Sequence, residues 1–301
     1  MKAILSAVVG LSAGTLLAGC VVVDSQGHIN REEKRFTVSG APELHLTTYD
    51  GPIEIHSGED SKTVLVEIEK RGPTKEALET VRVDTKQEGN RIDVEVRKPE
   101  REVVFLGIGH MTPSAKLIVT MPREGNIFAK SGDGSIRIDR VRGRLELRTG
   151  DGSIRGNEIA GQIAVSTGDG SVTIDSAEGD LDVDTGDGSV RVEGKLSGVR
   201  LHTGDGSVTL RAESGSAMKD EWSITTGDGG VNVSLPSDFG ADLDAHSSGG
   251  TIRSEFRTDP DSEDRDKDRE SRRHTLRGKI GSGGKALKIR TGDGSIRIKS
   301  S

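Results

Sequence analysis

Large rings are almost missing from this chain of 301 residues, where five Phe, one Trp and one Tyr hold the aromatic share at 2%. A core built on rings is excluded, and so is an extended platform for stacking bases or sugars. A single cysteine, Cys20, leaves no internal disulfide to form. Eight prolines exclude a collagen-like or polyproline chain. Positive charge is not in excess either: 42 Lys and Arg stand against 49 Asp and Glu, a formal net charge of −7. A chain of that balance does not search for nucleic acid through a strong positive field, so no nucleic-acid partner is expected. The seven histidines lack metal-ligand spacing, and no Gly-x-x-x-x-Gly-Lys-Ser/Thr motif is present. No cofactor is expected. Glycine is what the chain has in quantity, 41 residues, roughly twice the usual share, and that points to turns.

Met1 and Lys2 precede an uncharged stretch running to Val23, the shape of an exported protein's signal peptide. Roughly 20 apolar residues can also cross a bilayer, so length alone leaves an anchor helix open. Leu17-Ala18-Gly19-Cys20 resembles the lipobox of bacterial lipoproteins, in which the cysteine becomes lipidated and amino-terminal after cleavage. The resemblance implies a signal peptide over 1–19, lipidation at Cys20 and a membrane held through acyl chains. Val21, rather than Asp, follows the cysteine, as in lipoproteins sorted to the outer membrane. The polar residues up to Arg35 then form a tether, and the body of the protein is expected over 36–301.

That body repeats itself. Gly-Asp-Gly begins at Gly132, Gly150, Gly168, Gly186 and Gly204, four successive intervals of 18 residues, then returns at Gly227 and Gly292. Apolar residues alternate on either side of each turn, as in Ile136 and Ile138, Val172 and Ile174, or Leu145 and Leu147, Leu181 and Val183. A period of two is that of strands with one buried face. The same pattern appears in Leu44 to Ile55 and Leu287 to Ile298, while Pro73 to Thr80 breaks it and predicts a short helix. Asp-Gly between apolar runs is also a hairpin signal, but a single meander leaves its apolar face uncovered. The fold expected is therefore all-β, a single parallel β-solenoid of roughly 18-residue, two-strand coils. Arg257 to Arg273, with 13 of 17 residues charged, is expected to project from it as a disordered loop.

The lipobox, the Thr-Gly-Asp-Gly-Ser-Val/Ile units and the run Gly278 to Gly284 before Leu287 resemble the bacterial DUF4097 family, described as adhesin-like proteins with β-helical repeats. The resemblance covers roughly Phe36 to Ile298 and implies a surface-exposed solenoid, with no catalytic residues to carry over.

Stacked coils would place Asp133, Asp151, Asp169, Asp187, Asp205, Asp228 and Asp293 in one column of carboxylates. Turn formation explains each of them, through glycine's conformational range and Asx-type hydrogen bonds. Calcium is the functional alternative, since carboxylate and carbonyl oxygens suit a hard cation, although calcium β-rolls have a different nonapeptide order. A β-helical enzyme acting on polysaccharide would draw on Asp133, Asp151 and Asp169 with Arg137 and Arg155. Repetition opposes this, because an active site is a local departure from a pattern and these residues are the pattern. The expectation is thus a noncatalytic, lipid-anchored envelope protein with adhesin-like, scaffolding or binding work, meeting an envelope polymer or protein.

Overall fold

The computed structural model describes residues 21–24, 27–98, 112–257 and 274–301. The signal segment, Cys20 and all of the charged stretch except Arg257 lie outside them. The described residues are all-β, with 23 strands in one continuous mixed hydrogen-bonded system and one helix, Lys75–Thr80. That helix stands where the alternation fails. Thr74 caps it by accepting the Ala77 amide at 3.2 Å, and Ala77 and Leu78 are buried.

The 18-residue spacing becomes a register. Ile136 lies beside Ile154, which lies beside Val172, then Val190, then Val208, all in parallel pairing. A second ladder sets Leu145 beside Ile163, Leu181 and Val199. The strands Val172–Thr185 and Val190–Thr203 are long enough to pass through both ladders. Inward residues of the two ladders belong to one buried aliphatic cluster. Each rung is therefore a strand, a turn and a strand wrapped round a thin core, and outward positions such as Arg137, Arg155, Glu146 and Asp182 remain outside it.

Where the repeat lengthens, the register absorbs the insertion. Val208 lies beside Val231, 23 residues on, and Ser223 lies beside Arg200, which brings Trp222 into the ladder as a fully buried side chain. Trp222 packs tilted against Phe239 at 5.2 Å and donates its indole N–H to the Ser197 carbonyl at 3.1 Å.

The expectation of a single parallel solenoid needs correcting at both ends. Gly27–Thr37 pairs antiparallel with Thr63–Gly72, which pairs antiparallel with Ser114–Met121, and Arg82–Glu88 runs antiparallel to Arg91–Arg97. At the other end Ala241–Ser247 runs antiparallel to Thr275–Ile280. A parallel stack presents unpaired edges and an open apolar interior at each end, and strands that fold back cover both. The chain order is also exchanged there. The 44–55 unit lies between the strands Arg91–Arg97 and Ser114–Met121 on one side and the rung 126–139 on the other. The 287–298 unit likewise lies between 222–235 and 241–254. Finally, Gly27–Thr37 is an eleven-residue paired strand, so much of the segment expected to be tether is part of the sheet.

Candidate functional site

The most regular surface of the molecule is the edge made by the Thr-Gly-Asp-Gly-Ser turns, and its support is the threonine. Thr149, Thr167, Thr185, Thr203, Thr226 and Thr291 are buried in one column, continued by Thr48, Ser131 and Ser247. Thr203 Oγ1 accepts the Gly206 amide at 3.2 Å and points its proton at the carbonyls of Gly186 (3.2 Å) and Gly188 (2.9 Å) in the preceding rung. Thr226 repeats this toward Gly204 and Gly206, and Ser247 toward Gly292 and Gly294. One hydroxyl thus closes its own turn and ties it to the next. Glycine is required beside it for a separate reason: a Cβ on Gly188 would stand 2.0 Å from the Gly170 carbonyl oxygen. Side chains are excluded by the close approach of successive backbones.

With the threonines holding the turns, the aspartates are left free to face water. Asp133, Asp151, Asp169, Asp187, Asp205, Asp228 and Asp293 are all exposed. Each leans over the glycine of the next rung: Asp133 Oδ1 lies 2.8 Å from the Cβ position of Gly150, and Asp187 Oδ1 lies 3.2 Å from that of Gly204. Asp50 joins the column beside Gly132. Both the buried threonine column and Asp50 escaped the sequence analysis. The Thr that precedes six of the seven Gly-Asp-Gly turns was the available signal, and the Leu44 to Ile55 unit, with Tyr49 and Pro52 in place of Gly and Ser, already carried Asp50 in the repeat register.

On the same face, four residues beyond the Asp place of each turn, the outward column carries Arg137, Arg155, Arg191, Arg297 and Arg253, interleaved with Thr173, Thr209 and Asn232. Asp151 and Arg155 are four steps apart along the chain, at most roughly 13 Å at about 3.3 Å per residue, and no salt bridge joins them. Among the described residues no group of three His, Cys, Asp or Glu side chains is placed to hold a metal ion. The structure does not bring Asp133, Asp151 and Asp169 together with Arg137 and Arg155 as a convergent catalytic cluster.

The opposite face has a different character. A shallow trough of about 400 Å³ runs over Gln162 and Ala164, walled by Arg144, Asp180, Asp182 and Lys219. Its charges are internally matched: Lys219 bonds Asp180, Ser197 donates to Asp180 at 2.7 Å, and Arg200 meets Asp182 at 3.1 Å. The Lys219 and Ser197 hydrogen bonds hold the Asp180 carboxyl below the usual range. In the antiparallel end sheet, burial pushes Glu69 up, and hydrogen bonds from Arg31 and Arg71 at 2.8 and 2.7 Å outweigh it, leaving its carboxyl lowered.

The family model described as Toastrack DUF4097 matches residues 41–299, from just before the rung at Glu43 to the strand Ile296–Ser300. The chain belongs to the Toastrack DUF4097 family. The strand Gly27–Thr37 lies upstream of the Toastrack match. Among solved structures, a protein described as a putative lipid binding protein from Parabacteroides distasonis ATCC 8503 is similar at 13% identity and a TM-score of 0.46, covering 89% of this chain and 96% of that one. A putative adhesin from Bacteroides fragilis NCTC 9343 is similar at 12% identity and 0.35, with the same coverage. A putative adhesin from Parabacteroides merdae ATCC 43184 is similar at 14% and 0.33, covering 89% and 95%. At these scores the likenesses carry nothing about what this Toastrack chain binds. None of the curated proteins matches it. No helix among the described residues is long and apolar enough to cross a membrane.

Proposed function

We propose that this Toastrack chain is a noncatalytic binding or scaffolding protein of the bacterial envelope, a solenoid of roughly 18-residue coils anchored to the outer membrane through lipid on Cys20. One observation carries the binding role: an exposed, evenly pitched row of carboxylates on turns whose own hydrogen bonds are made by other residues. A group that is conformationally unemployed and repeated on rung after rung is suited to meeting an extended partner outside the chain. Anchoring rests on the lipobox-like Leu17 to Cys20. Acyl chains contribute about 0.8 kcal/mol per buried methylene, so two or more hold a protein durably.

Fractionation of cells carrying Cys20→Ala tests the anchor, and the variant is expected in the soluble envelope fraction. Retention on the membrane would refute lipidation. Protease accessibility with pull-down from intact cells tests exposure and partner together. Calorimetry with millimolar calcium is expected to stay flat, and saturable binding would make the aspartate column an ion site instead.

A further inference from the structure

The charges on the two faces are handled differently. On the trough face, Arg142, Arg148, Arg200, Lys288 and Arg290 each meet an acid of their own chain. On the turn face Arg137 meets Asp139 and Arg211 meets Glu193, whereas Arg155, Arg191, Arg253 and Arg297 are exposed and meet no acid among the described residues, and the aspartates of the turns are equally unmatched. The full pattern recurs on alternate rungs, Asp151, Ser153, Arg155 on one and Asp187, Ser189, Arg191 two rungs on, with Thr173 in the arginine place between them. A column of acids thus runs beside a column in which Arg155, Arg191 and Arg297 are interleaved with Thr173, Thr209 and Asn232, with a column made mostly of hydroxyl residues between them.

Such a surface is complementary to itself in one orientation only. Two copies placed face to face by a twofold axis along the hydroxyl column exchange left for right, so each Asp column lies over the partner's Arg column, rung against equal rung. A twofold axis across the rungs would lay Asp on Asp and Arg on Arg. We propose that this face pairs two copies of the chain with their stacks parallel, Asp151 opposite Arg155 and Asp187 opposite Arg191 of the second copy. On the rungs that carry arginine, the repulsion along each carboxylate column is then answered by guanidinium groups of the second copy. Eight rungs at about 4.8 Å and a strip roughly 15 Å wide give on the order of 600 Å² per copy, the lower end for a specific interface. The pairing is therefore weak and salt-sensitive, as expected of exposed ion pairs. Parallel stacks put both amino termini at one end, so with the anchoring proposed above the two copies stand in the same membrane; the pairing itself does not depend on that anchor.

The test uses the full chain carrying Cys20→Ala, followed by sedimentation equilibrium up to about 100 μM, a range suited to a weak interface of this size. The parent is expected to dimerise, at least tenfold more weakly at 0.5 M than at 0.05 M salt. The double variants Asp151→Arg with Asp187→Arg, and Arg155→Asp with Arg191→Asp, are each expected to be monomeric, while their mixture regains the dimer. Independently, facing sheets lie about 10 Å apart, so Ser189→Cys is expected to couple to itself through a bismaleimide of that span, and Ala164→Cys on the trough face is not. A parent that stays monomeric, charge variants that still dimerise alone, or coupling through Ala164→Cys would overturn the proposal.

Discussion

Thr203→Val separates the work of the threonine from that of the aspartate it precedes. The side chain has no exposed surface, and its hydroxyl serves the Gly206 amide on one side and the Gly186 and Gly188 carbonyls on the other. Valine keeps the shape and removes the polarity. Leaving buried backbone groups without a partner costs about 1–3 kcal/mol each, and the added methyl returns about 0.8 kcal/mol. A net loss of about 1–3 kcal/mol follows, whereas Asp187→Asn, on the exposed side of the neighbouring turn, should stay within about 0.5 kcal/mol. Thr203→Ser should recover most of the difference, since Ser131 and Ser247 already fill equivalent places. The assay is urea unfolding followed by fluorescence of Trp222, which is buried one rung along. A Thr203→Val midpoint equal to that of the parent, or an Asp187→Asn loss of the same size, would refute the assignment of the turn's hydrogen bonds to threonine.

Three further outcomes follow from the geometry. Gly188→Ala, with its new Cβ 2.0 Å from the Gly170 carbonyl oxygen, should cost about 3 kcal/mol or more, or abolish folding, and circular dichroism of the purified variant reads this directly. Arg140, Glu158 and Ser176 sit at φ of 57°, 51° and 56°, eighteen residues apart, in a region where most side chains cost about 1 kcal/mol; Glu158→Asn should therefore raise stability by about 0.5–1 kcal/mol in the same urea assay. Because the folded Glu69 carboxyl is lowered, its ion pairs stabilise above the unfolded value of about 4.3 and are lost as pH falls through the lower folded value. Acid melts should show Glu69→Gln less stable than the parent by about 1–2 kcal/mol at pH 7 and nearly level with it once the pH has fallen below the folded value, a gap that reports hydrogen bonds to a charged group.

Most of the middle of the molecule was legible because one residue in two is apolar and the interval never slips: Ile136, Ile154, Val172 and Val190 name their neighbours by arithmetic. Trp222 obeys the same alternation across an insertion and enters the ladder as a buried side chain. The ends were not legible, since pairing between Gly27–Thr37 and Thr63–Gly72 depends on which edges need covering, and no local pattern encodes that. Nor could spacing show that the 287–298 unit lies between two earlier units, because a perfect repeat fits any vacant rung equally well. At the candidate surface, Asp drew attention by its charge, while Thr, a modest residue one place before Gly-Asp-Gly, makes the bonds. The left-handed positions at Arg140, Glu158 and Ser176 carry no sequence mark, as none of them is glycine.

The exchanged order at the carboxyl end constrains assembly. The segment 287–298 is synthesised after both of the segments it separates, so 241–254 cannot settle against its final support while the chain is still emerging. This end of the structure must wait open and then admit a late wedge, which makes completion of the stack a single closing event instead of a gradual winding.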